Sequence, residues 1–475
     1  MEYSNDLNEI IALIHATVES NVSEDPGFCI TQLTQQINDE YLMSRAACME
    51  NAFQHDTAFY SAVGKLAVQC NENHKDCSGC PAKKYCNAYI RTAQSTWPQD
   101  APRMIDLFCG AGGLSLGFTQ EGFITALAND IEPCCIDTYS HNHPETPRKH
   151  IVLGDINNVI ANIKDFVRFS EIDVLIGGPP CQGFSMANRQ RLIDDPRNHL
   201  YKSYIEVLKL ILPHFFVMEN VKGMLSVASQ VIEDFEQVGY AVSARILNAK
   251  DCGVPQNRER LIFIGNRIGC DNDVIFTRIA EICAQIPERT LSEALFGLKP
   301  LQASRVKNAT AAESDETGRI IDRSTGLSNE YIDTINQGRQ IPAVFNHKAR
   351  YNNDRDIEIF GRLNPGDKSD DPKIADIMPY ARRNDIFKDK YFKLEPDKVC
   401  KTITAHMKFD CNMYIHPTQA RGLTPREAAR VQSYPDDYFF RGAYTKTYMQ
   451  IGNSVPPMLG RVISQAIKEQ LLKIE

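Results

Sequence analysis

The chain has 475 residues, of which 43% are hydrophobic, and it carries a formal net charge of −8 at pH 7. The length exceeds that of one ordinary domain, and the acidic balance excludes a protein that binds nucleic acid through uniform positive charge. The apolar pattern predicts no secretory leader or membrane span, and the 15 cysteines of so long a chain indicate a reducing, cytoplasmic environment.

The first hundred residues are predicted to form a separate helical domain, residues 1–98, that holds a metal. Asp6 to Ser20 is amphipathic, and Phe53 to Val68 favours a second helix. Four closely spaced cysteines follow, namely Cys70, Cys77, Cys80 and Cys86. Zinc is the usual metal for four thiolates, but this spacing resembles the [4Fe-4S] loop of the endonuclease III and adenine glycosylase family. The resemblance implies an iron-sulfur cluster, with zinc as the alternative.

From Arg103 to Ile264, strand-like and helix-like segments alternate, which predicts an α/β fold with a doubly wound, mostly parallel sheet. Seven strands are predicted, near residues 104, 125, 151, 174, 216, 244 and 262. Pro425 to Gln432 and Leu459 to Leu472 are predicted helices that return to this core. Residues 268–417 lose the alternation, so an insertion is predicted there.

The first two predicted strands end in residues suited to a cofactor. Gly110, Gly112 and Gly113 follow the first strand, where a glycine backbone can pass close to a ligand. Their spacing differs from the Gly-x-Gly-x-x-Gly of dinucleotide sites, and a glycine-rich turn alone does not identify the ligand. The second strand ends at Asp130, an acidic residue placed to bind ribose hydroxyls.

A cysteine follows the next buried strand of this region. Asp173 to Ile176 is strand-like, and Gly177 and Gly178 lead through two prolines to Cys181. Ligands bind at the carboxyl ends of strands in open α/β sheets, so Cys181 is predicted to be a nucleophile. A buried structural cysteine is the alternative.

The strand Phe215 to Met218 ends in Glu219 at the same predicted edge. A carboxylate is costly there unless it is used, although a helix N-cap or a salt bridge would also explain it. Arg258 and Arg260 precede the strand Leu261 to Ile264, which brings guanidinium groups to a strand entrance.

Six blocks, in this order, resemble the cytosine-C5 DNA methyltransferase family. They are residues 106–113, 180–182, 219–221, 256–260, 421–427 and 452–456. The resemblance runs from about Pro102 to the C-terminus, interrupted by one long variable stretch. It implies a methyltransferase sheet built from residues 102–267 plus 418–475, a target-recognition domain at 268–417, and S-adenosylmethionine as cofactor.

The resemblance also implies the chemistry. Cytosine C5 is a poor nucleophile until a thiolate adds to C6, and Cys181 would supply that thiolate. Negative charge then develops toward N3 and O2, where Glu219 and Arg260 would stabilise it, with Arg258 in the same cluster. A glutamate that donates to N3 must hold a proton, which partial burial favours.

The cofactor site implied by the resemblance places Phe108 against the adenine, Asp130 at the ribose and Asp155 at the adenine amino group. Family members often carry an aromatic residue where this chain has Ile131. The complete predicted set is Phe108, Gly110, Gly112, Gly113, Asp130, Ile131, Asp155, Ile156, Pro180, Leu200, Asn453 and Ser454.

Residues 183–199 form a polar stretch, for which a plain solvated loop is one explanation. The resemblance instead implies a loop that closes over DNA, because C6 is inaccessible in a stacked duplex and the cytosine must be flipped out. The predicted DNA-binding residues are Gln182, Ser185, Arg189, Arg191, Arg197 and Thr402. Within the target-recognition domain, segments 346–350 and 402–406 are the predicted contacts.

The predicted function is therefore sequence-specific DNA (cytosine-5-)-methylation, with double-stranded DNA as partner and a cognate restriction endonuclease as a further candidate. An RNA methyltransferase of the same fold and a non-catalytic DNA-binding descendant are the alternatives. The RNA branch carries a Cys-Phe-Thr segment, whereas this chain has Phe409 to Tyr414 in that area. The intact Cys181, Glu219 and Arg260 argue against a non-catalytic descendant.

Overall fold

The computed structural model describes residues 100–180, 200–307, 312–341, 343–379 and 390–474. Nine strands lie in these residues: β1 Arg103–Leu107, β2 Ile124–Asp130, β3 Ile151–Leu153, β4 Val174–Gly177, β5 Phe215–Val221, β6 Ala241–Asn248, β7 Glu259–Asn266, β8 Gly318–Arg323 and β9 Ala343–Lys348. The first seven confirm the predicted strands.

The same residues contain twelve α-helices. They are α1 Gly113–Gln120, α2 Pro133–Asn142, α3 Ile156–Phe166, α4 Leu200–Ile211, α5 Ala228–Glu236, α6 Asn272–Cys283, α7 Leu291–Leu295, α8 Glu330–Ile335, α9 Asp354–Arg362, α10 Pro425–Val431, α11 Tyr444–Asn453 and α12 Pro457–Leu471. The helices α10 and α12 confirm the two C-terminal helices predicted from the sequence, within one or two residues at their ends.

Strands β1 to β7 form one sheet in the order β3-β2-β1-β4-β5-β7-β6. The pairs among β1 to β5 are parallel, and β7 is antiparallel to both β5 and β6. From β1 the chain proceeds outward to β3 and then returns to β4 on the other side of β1. This reversal leaves a crevice at the carboxyl ends of β1 and β4, which is where ligands bind in such sheets.

The sheet is covered on both faces because successive side chains of its strands point to opposite sides. Met104, Val174 and Phe215 enter one hydrophobic cluster, which α1, α6 and α12 complete. Their neighbours, such as Ile105 and Leu175, enter a second cluster with α3, α4 and α5. Two layers of helices around a mostly parallel sheet confirm the predicted doubly wound architecture.

The stretch between β7 and α10 does not pack as a body apart from the sheet. Tyr331, Cys400, Ile403 and Met407 belong to the same hydrophobic cluster as Met104. A smaller cluster around α9 and the two-stranded sheet of β8 and β9 lie outside that core. Part of the predicted insertion therefore helps to build the main core.

Among the described residues, no helix combines the length and apolar character needed to cross a membrane.

Candidate active site at the carboxyl edge of the sheet

The ends of β4 and β5 lie side by side in parallel register, with Gly177 opposite Met218. A side chain added at Gly178 would approach Oε2 of Glu219 to 3.0 Å. The Asn220 amide Nδ2 donates to the Pro179 carbonyl at 3.0 Å, which fixes the start of the Pro-Pro step against β5. Two of the sequence blocks therefore meet at one edge, as predicted from parallel pairing.

Glu219 and Arg260 form an ion pair in this edge. Arg260 Nε lies 2.7 Å from Glu219 Oε1, and the two side chains are 14% and 12% exposed. Antiparallel pairing of β5 with β7 brings them together, because Val221 is opposite Arg260 in the register. The pair is sheltered yet accessible, so it can still contact a ligand in the crevice.

Arg258 is placed differently from the prediction. Its side chain is fully buried, and its guanidinium donates to the carbonyls of Ile403 at 2.7 Å, Gly452 at 3.0 Å and Ser454 at 2.7 Å. Burial, and then the nearby Arg260, hold the pKa of Arg258 well below its usual range. A group with no exposed surface cannot touch a substrate, so Arg258 is a positioning residue behind the Glu219–Arg260 pair rather than a member of it.

The loop after β1 has unusual backbone geometry. Phe108 adopts φ 56°, which is rare for a residue with a side chain and marks a conformation that the surroundings impose. Gly110 adopts φ 54°, and a Cβ there would meet no atom within 4 Å. Gly110 therefore borders open space, and its proximity to a ligand stays a prediction.

Gly112 and Gly113 are also required for packing within the protein. A Cβ at Gly112 would lie 2.7 Å from His143 Nε2, and one at Gly113 would lie 2.3 Å from the Val455 carbonyl. No larger residue fits where the start of α1 packs against these groups. The approach of these two glycines to the cofactor stays a prediction.

Asp130 connects this loop to the end of β2. Its carboxylate accepts hydrogen bonds from the backbone N–H groups of Gly110 and Glu132, both at 2.8 Å. Burial raises the pKa of Asp130. Each carboxylate oxygen has a second lone pair, so a ribose hydroxyl could donate to it without disrupting the loop.

Asp106 is a buried acid beneath this loop to which the sequence analysis assigned no role. The Ser115 hydroxyl donates to it, the Tyr139 hydroxyl donates in turn to Ser115 at 2.9 Å, and burial raises the pKa of Asp106 to about 8. The available signal was its position at the end of a buried strand, which it shares with Asp130 and Glu219.

The other residues predicted beside the adenine lie next to Asp130. Ile131 is 65% exposed, as expected of an apolar side chain awaiting a ligand. Asp155 is exposed and caps α3 by accepting from Asn157 N at 2.8 Å. The Ile156 side chain is buried in the second hydrophobic cluster.

The remaining predicted cofactor residues come from three separate segments. Pro180 is exposed at the end of the described β4 segment, and Leu200 begins α4, half-buried against the second cluster. Asn453 is exposed at the end of α11, whereas the Ser454 hydroxyl is engaged, donating to Gln450 O at 2.8 Å and accepting from Tyr434.

The predicted DNA contacts of segment 346–350 are mostly interior. Asn346, His347 and Lys348 lie in β9 and are at most 5% exposed, which contradicts a direct contact for these three. His347 instead bonds to Thr424 and Lys299, and burial lowers its pKa to about 4. Thr402 is half-buried, and its hydroxyl donates to the Asn257 carbonyl at 2.6 Å.

Several predicted residues lie outside the described part of the chain. They are Cys181, Gln182, Ser185, Arg189, Arg191 and Arg197 of the active-site loop, and the four N-terminal cysteines Cys70, Cys77, Cys80 and Cys86. Within the described ranges, no cluster of three or more His, Cys, Asp or Glu side chains could hold a metal. The roles predicted for the active-site loop residues and for the four N-terminal cysteines therefore stay predictions.

Comparison with known proteins agrees with this geometry. The model of the C-5 cytosine-specific DNA methylase family matches residues 102–469. The Type II methyltransferase M1.HphI of Haemophilus parahaemolyticus is 35% identical over 373 residues, covering 76% of this chain and 86% of that protein. M.DdeI of Desulfomicrobium norvegicum is 33% identical over 390 residues, covering 77% and 88%. A crystal structure from E. coli, assigned as a prophage-encoded DNA modification methyltransferase, superposes with a TM-score of 0.59 at 25% identity, covering 78% of this chain and all of that one.

Proposed function

The chain belongs to the C-5 cytosine-specific DNA methylase family and is a DNA (cytosine-5-)-methyltransferase; on that premise we propose which of its residues carry out the reaction. The observation that carries the proposal is the Glu219–Arg260 pair, held 2.7 Å apart beside the segment that leads to Cys181. A carboxyl and a guanidinium at this edge match the two positions of the cytosine ring where charge develops.

S-adenosylmethionine supplies the electrophilic methyl group, and the residues of the crevice fit it. Asp130 offers carboxylate lone pairs to a ribose, and the exposed Ile131 side chain offers an apolar surface to an adenine. The backbone of Gly110 faces open space where the methionine portion would lie. Phe108, Asp155 and Asn453 complete the proposed pocket.

In the proposed reaction the Cys181 thiolate adds to C6 of the cytosine, and the displaced electron pair moves toward N3 and O2. Glu219, in its protonated form and turned from Arg260 to the ring, passes a proton to N3, and Arg260 stabilises the charge at O2. C5 then takes the methyl group as the S–CH3 bond of the sulfonium breaks, and S-adenosylhomocysteine is the leaving group. A base removes the C5 proton, and elimination across C5–C6 releases Cys181. Arg258 acts through its placement of the 452–454 backbone.

The substrate proposed is a flipped cytosine in a specific sequence of double-stranded DNA. The target cannot react while stacked in a duplex, and the crevice lies at the edge of the sheet where an extruded base can enter. The Type II relatives support a place in a restriction-modification system, with a cognate endonuclease that cuts the same sequence. Sequence reading is proposed for residues 268–417, apart from α6 and the other segments that build the main core.

The decisive experiment is expression in a host without DNA methylation, followed by sequencing for 5-methylcytosine. We expect methylation within one short motif for the wild type and none for Cys181→Ala, with adenosylmethionine binding retained. DNA containing 5-fluorocytosine in that motif should trap the wild type covalently, because fluorine blocks the proton loss. The matched control is Cys270→Ala, a half-exposed cysteine away from this edge. Wild-type methylation rates in Cys181→Ala would remove Cys181 from the mechanism.

We also propose that Cys70, Cys77, Cys80 and Cys86 bind a [4Fe-4S] cluster in a structural or DNA-binding role. The support is their spacing, which is typical of thiolate metal sites and resembles that of the glycosylase loop. Anaerobically purified protein should be brown and contain about four irons per chain. If protein expressed anaerobically with ample iron contained stoichiometric zinc and no iron, the four cysteines would be assigned to a zinc site.

A further inference from the structure

An aromatic ring projects into solvent from the segment that follows Ile403. Phe409 is 65% exposed, which makes it the most exposed phenylalanine or tyrosine in the described part of the chain. It follows the short 3-10 helix Ala405–Lys408. A single exposed ring is common on protein surfaces, so the groups around Phe409 decide whether it marks a binding site.

Cationic and aromatic groups flank this ring. The Lys408 ammonium lies 4.8 Å from its centroid, and the exposed His406 ring lies 5.4 Å from it. The chain as a whole is acidic, with a net charge of −8. The basic and aromatic side chains around Phe409 therefore differ in charge from the protein as a whole. Positive groups beside a stacking surface are the combination with which proteins bind nucleic acid.

The loop is held firmly in place by Arg350. Its guanidinium donates to the carbonyls of Met407 and Phe409, both at 2.8 Å, and lies 5.7 Å from the Tyr448 ring centroid. The Met407 side chain is fully buried and anchors the middle of the loop. Phe409 is thus presented outward by a braced backbone.

The base of the loop is attached to the catalytic strand. Ile403 accepts a hydrogen bond from Arg258, and the Thr402 hydroxyl donates to Asn257 at 2.6 Å. A Cβ at Gly452 would come within 2.2 Å of the backbone of Thr404, so this contact is close-packed. Phe409 lies six positions after Ile403, so its backbone is at most about 20 Å from the residue whose carbonyl binds Arg258.

We propose that Phe409 stacks on the DNA bases next to the flipped cytosine and fills the space that the cytosine leaves, with Arg350 as the positioning residue of the ring. This inference rests on the proposed function, since it requires a DNA duplex with an extruded base. Inserting a ring at the vacated step replaces lost base stacking, so its removal weakens the complex in which the base is out.

The test compares Phe409→Ala and Phe409→Trp with the wild type, using a duplex that carries 2-aminopurine in place of the target cytosine. Phe409→Ala should weaken duplex binding about 10- to 100-fold and reduce the 2-aminopurine emission that reports flipping. Phe409→Trp should restore both, and adenosylmethionine binding should be unchanged in each variant. The matched control is Phe296→Ala, which removes a ring that is 44% exposed elsewhere.

A second comparison tests Arg350 through a double-mutant cycle. If Arg350 acts by placing the ring, Arg350→Met should weaken DNA binding, and adding it to Phe409→Ala should cost little more. Fully additive losses would contradict that role.

The possible outcomes separate the inference from the proposed function. Wild-type binding and flipping by Phe409→Ala, in a protein whose wild type methylates DNA, would overturn the inference alone. An equal loss in Phe296→Ala, or a fall in melting temperature or adenosylmethionine affinity with Phe409→Ala, would also overturn it by showing a structural effect. A wild type that neither binds nor methylates DNA would overturn the proposed function itself.

Discussion

Two arginine–glutamate pairs of this protein lie in family sequence blocks, yet their surroundings differ. Glu219 and Arg260 meet through one contact of 2.7 Å at the sheet edge, with side chains 12% and 14% exposed. Arg421 and Glu427 form two parallel contacts of 2.6 and 2.7 Å, and both side chains are 1% exposed. The first pair borders the crevice, and the second lies in the interior before and within α10.

The hydrogen-bond partners explain the difference in role. Glu427 also accepts from the Thr424 backbone N–H at 2.7 Å, in the capping box of α10. Although burial raises the pKa of Glu427, the Arg421 guanidinium holds it below its usual range. Glu427 is therefore saturated with partners and stabilises the fold, while the Glu219 pair can exchange its contact for a ligand. Residue type is the same in both pairs, and the partners decide the role.

The largest expected effect is the loss of activity in Glu219→Gln. An amide cannot pass a proton to N3 as a carboxyl does, so methyl transfer should fall about 10²- to 10⁴-fold. The melting temperature should stay close to that of the wild type, because the glutamine amide oxygen can still accept a hydrogen bond from Arg260. Glu259→Gln is the control, since that carboxylate is a surface partner of Lys222 next to the site. A folded Glu219→Gln protein with wild-type kcat would exclude Glu219 from catalysis.

Glu427→Gln should have the opposite profile. Removing one charge leaves Arg421 buried without compensation, so the free energy of unfolding should fall by about 3–5 kcal/mol. Urea denaturation measures this, and Glu206→Gln, which breaks an exposed pair with Lys209, should change it by less than about 1 kcal/mol. Equal losses in the two variants would contradict the assignment of Glu427 to the interior.

Two neighbouring arginines sharpen the comparison. Arg258→Lys should lower the free energy of unfolding by about 1.5–3 kcal/mol, because a lysine cannot satisfy the three carbonyls that Arg258 reaches. Arg260→Lys should lower kcat with little change in stability. Urea unfolding and methyl-transfer kinetics should be measured for both variants. A stability loss in Arg260→Lys together with a loss of kcat alone in Arg258→Lys would refute the distinction between the two arginines.

The smallest effect concerns pH. Burial lowers the pKa of both His347 and His416 to about 4. The unfolded chain takes up protons at these residues below about pH 6.5, whereas the folded chain does so only near pH 4, so stability is complete above pH 6.5 and declines as the pH falls through this window. The decline should be about 1–3 kcal/mol per histidine. His347→Gln should flatten the pH dependence of the unfolding midpoint, and an unchanged slope would rule out its contribution.

Much of this architecture was accessible from local sequence patterns. The seven strands were predicted because buried strands of a parallel sheet appear as short apolar runs between helical segments. Glu219 was predicted at the sheet edge because it ends such a run, and the salt bridge considered as an explanation for it is present. Asp130 was predicted at the end of the second strand for the same reason, and it accepts a hydrogen bond from Gly110 of the glycine-rich loop.

Tertiary structure alone separated Arg258 from Arg260, which lie two residues apart and looked equivalent in sequence. Arg258 binds carbonyls of residues that follow it by 145, 194 and 196 positions. The local pattern of apolar and polar residues cannot predict contacts between residues so far apart in the sequence. The same holds for Gly113, which packs against Tyr434 and Val455, and for the backbone of Phe409, whose carbonyl accepts a hydrogen bond from Arg350. Sequence by itself determined which residue types stand at the strand ends, because that follows from the alternation of apolar and polar neighbours. Which of those side chains remain open to a ligand was decided by long-range packing, because burial depends on segments that meet only in the folded chain.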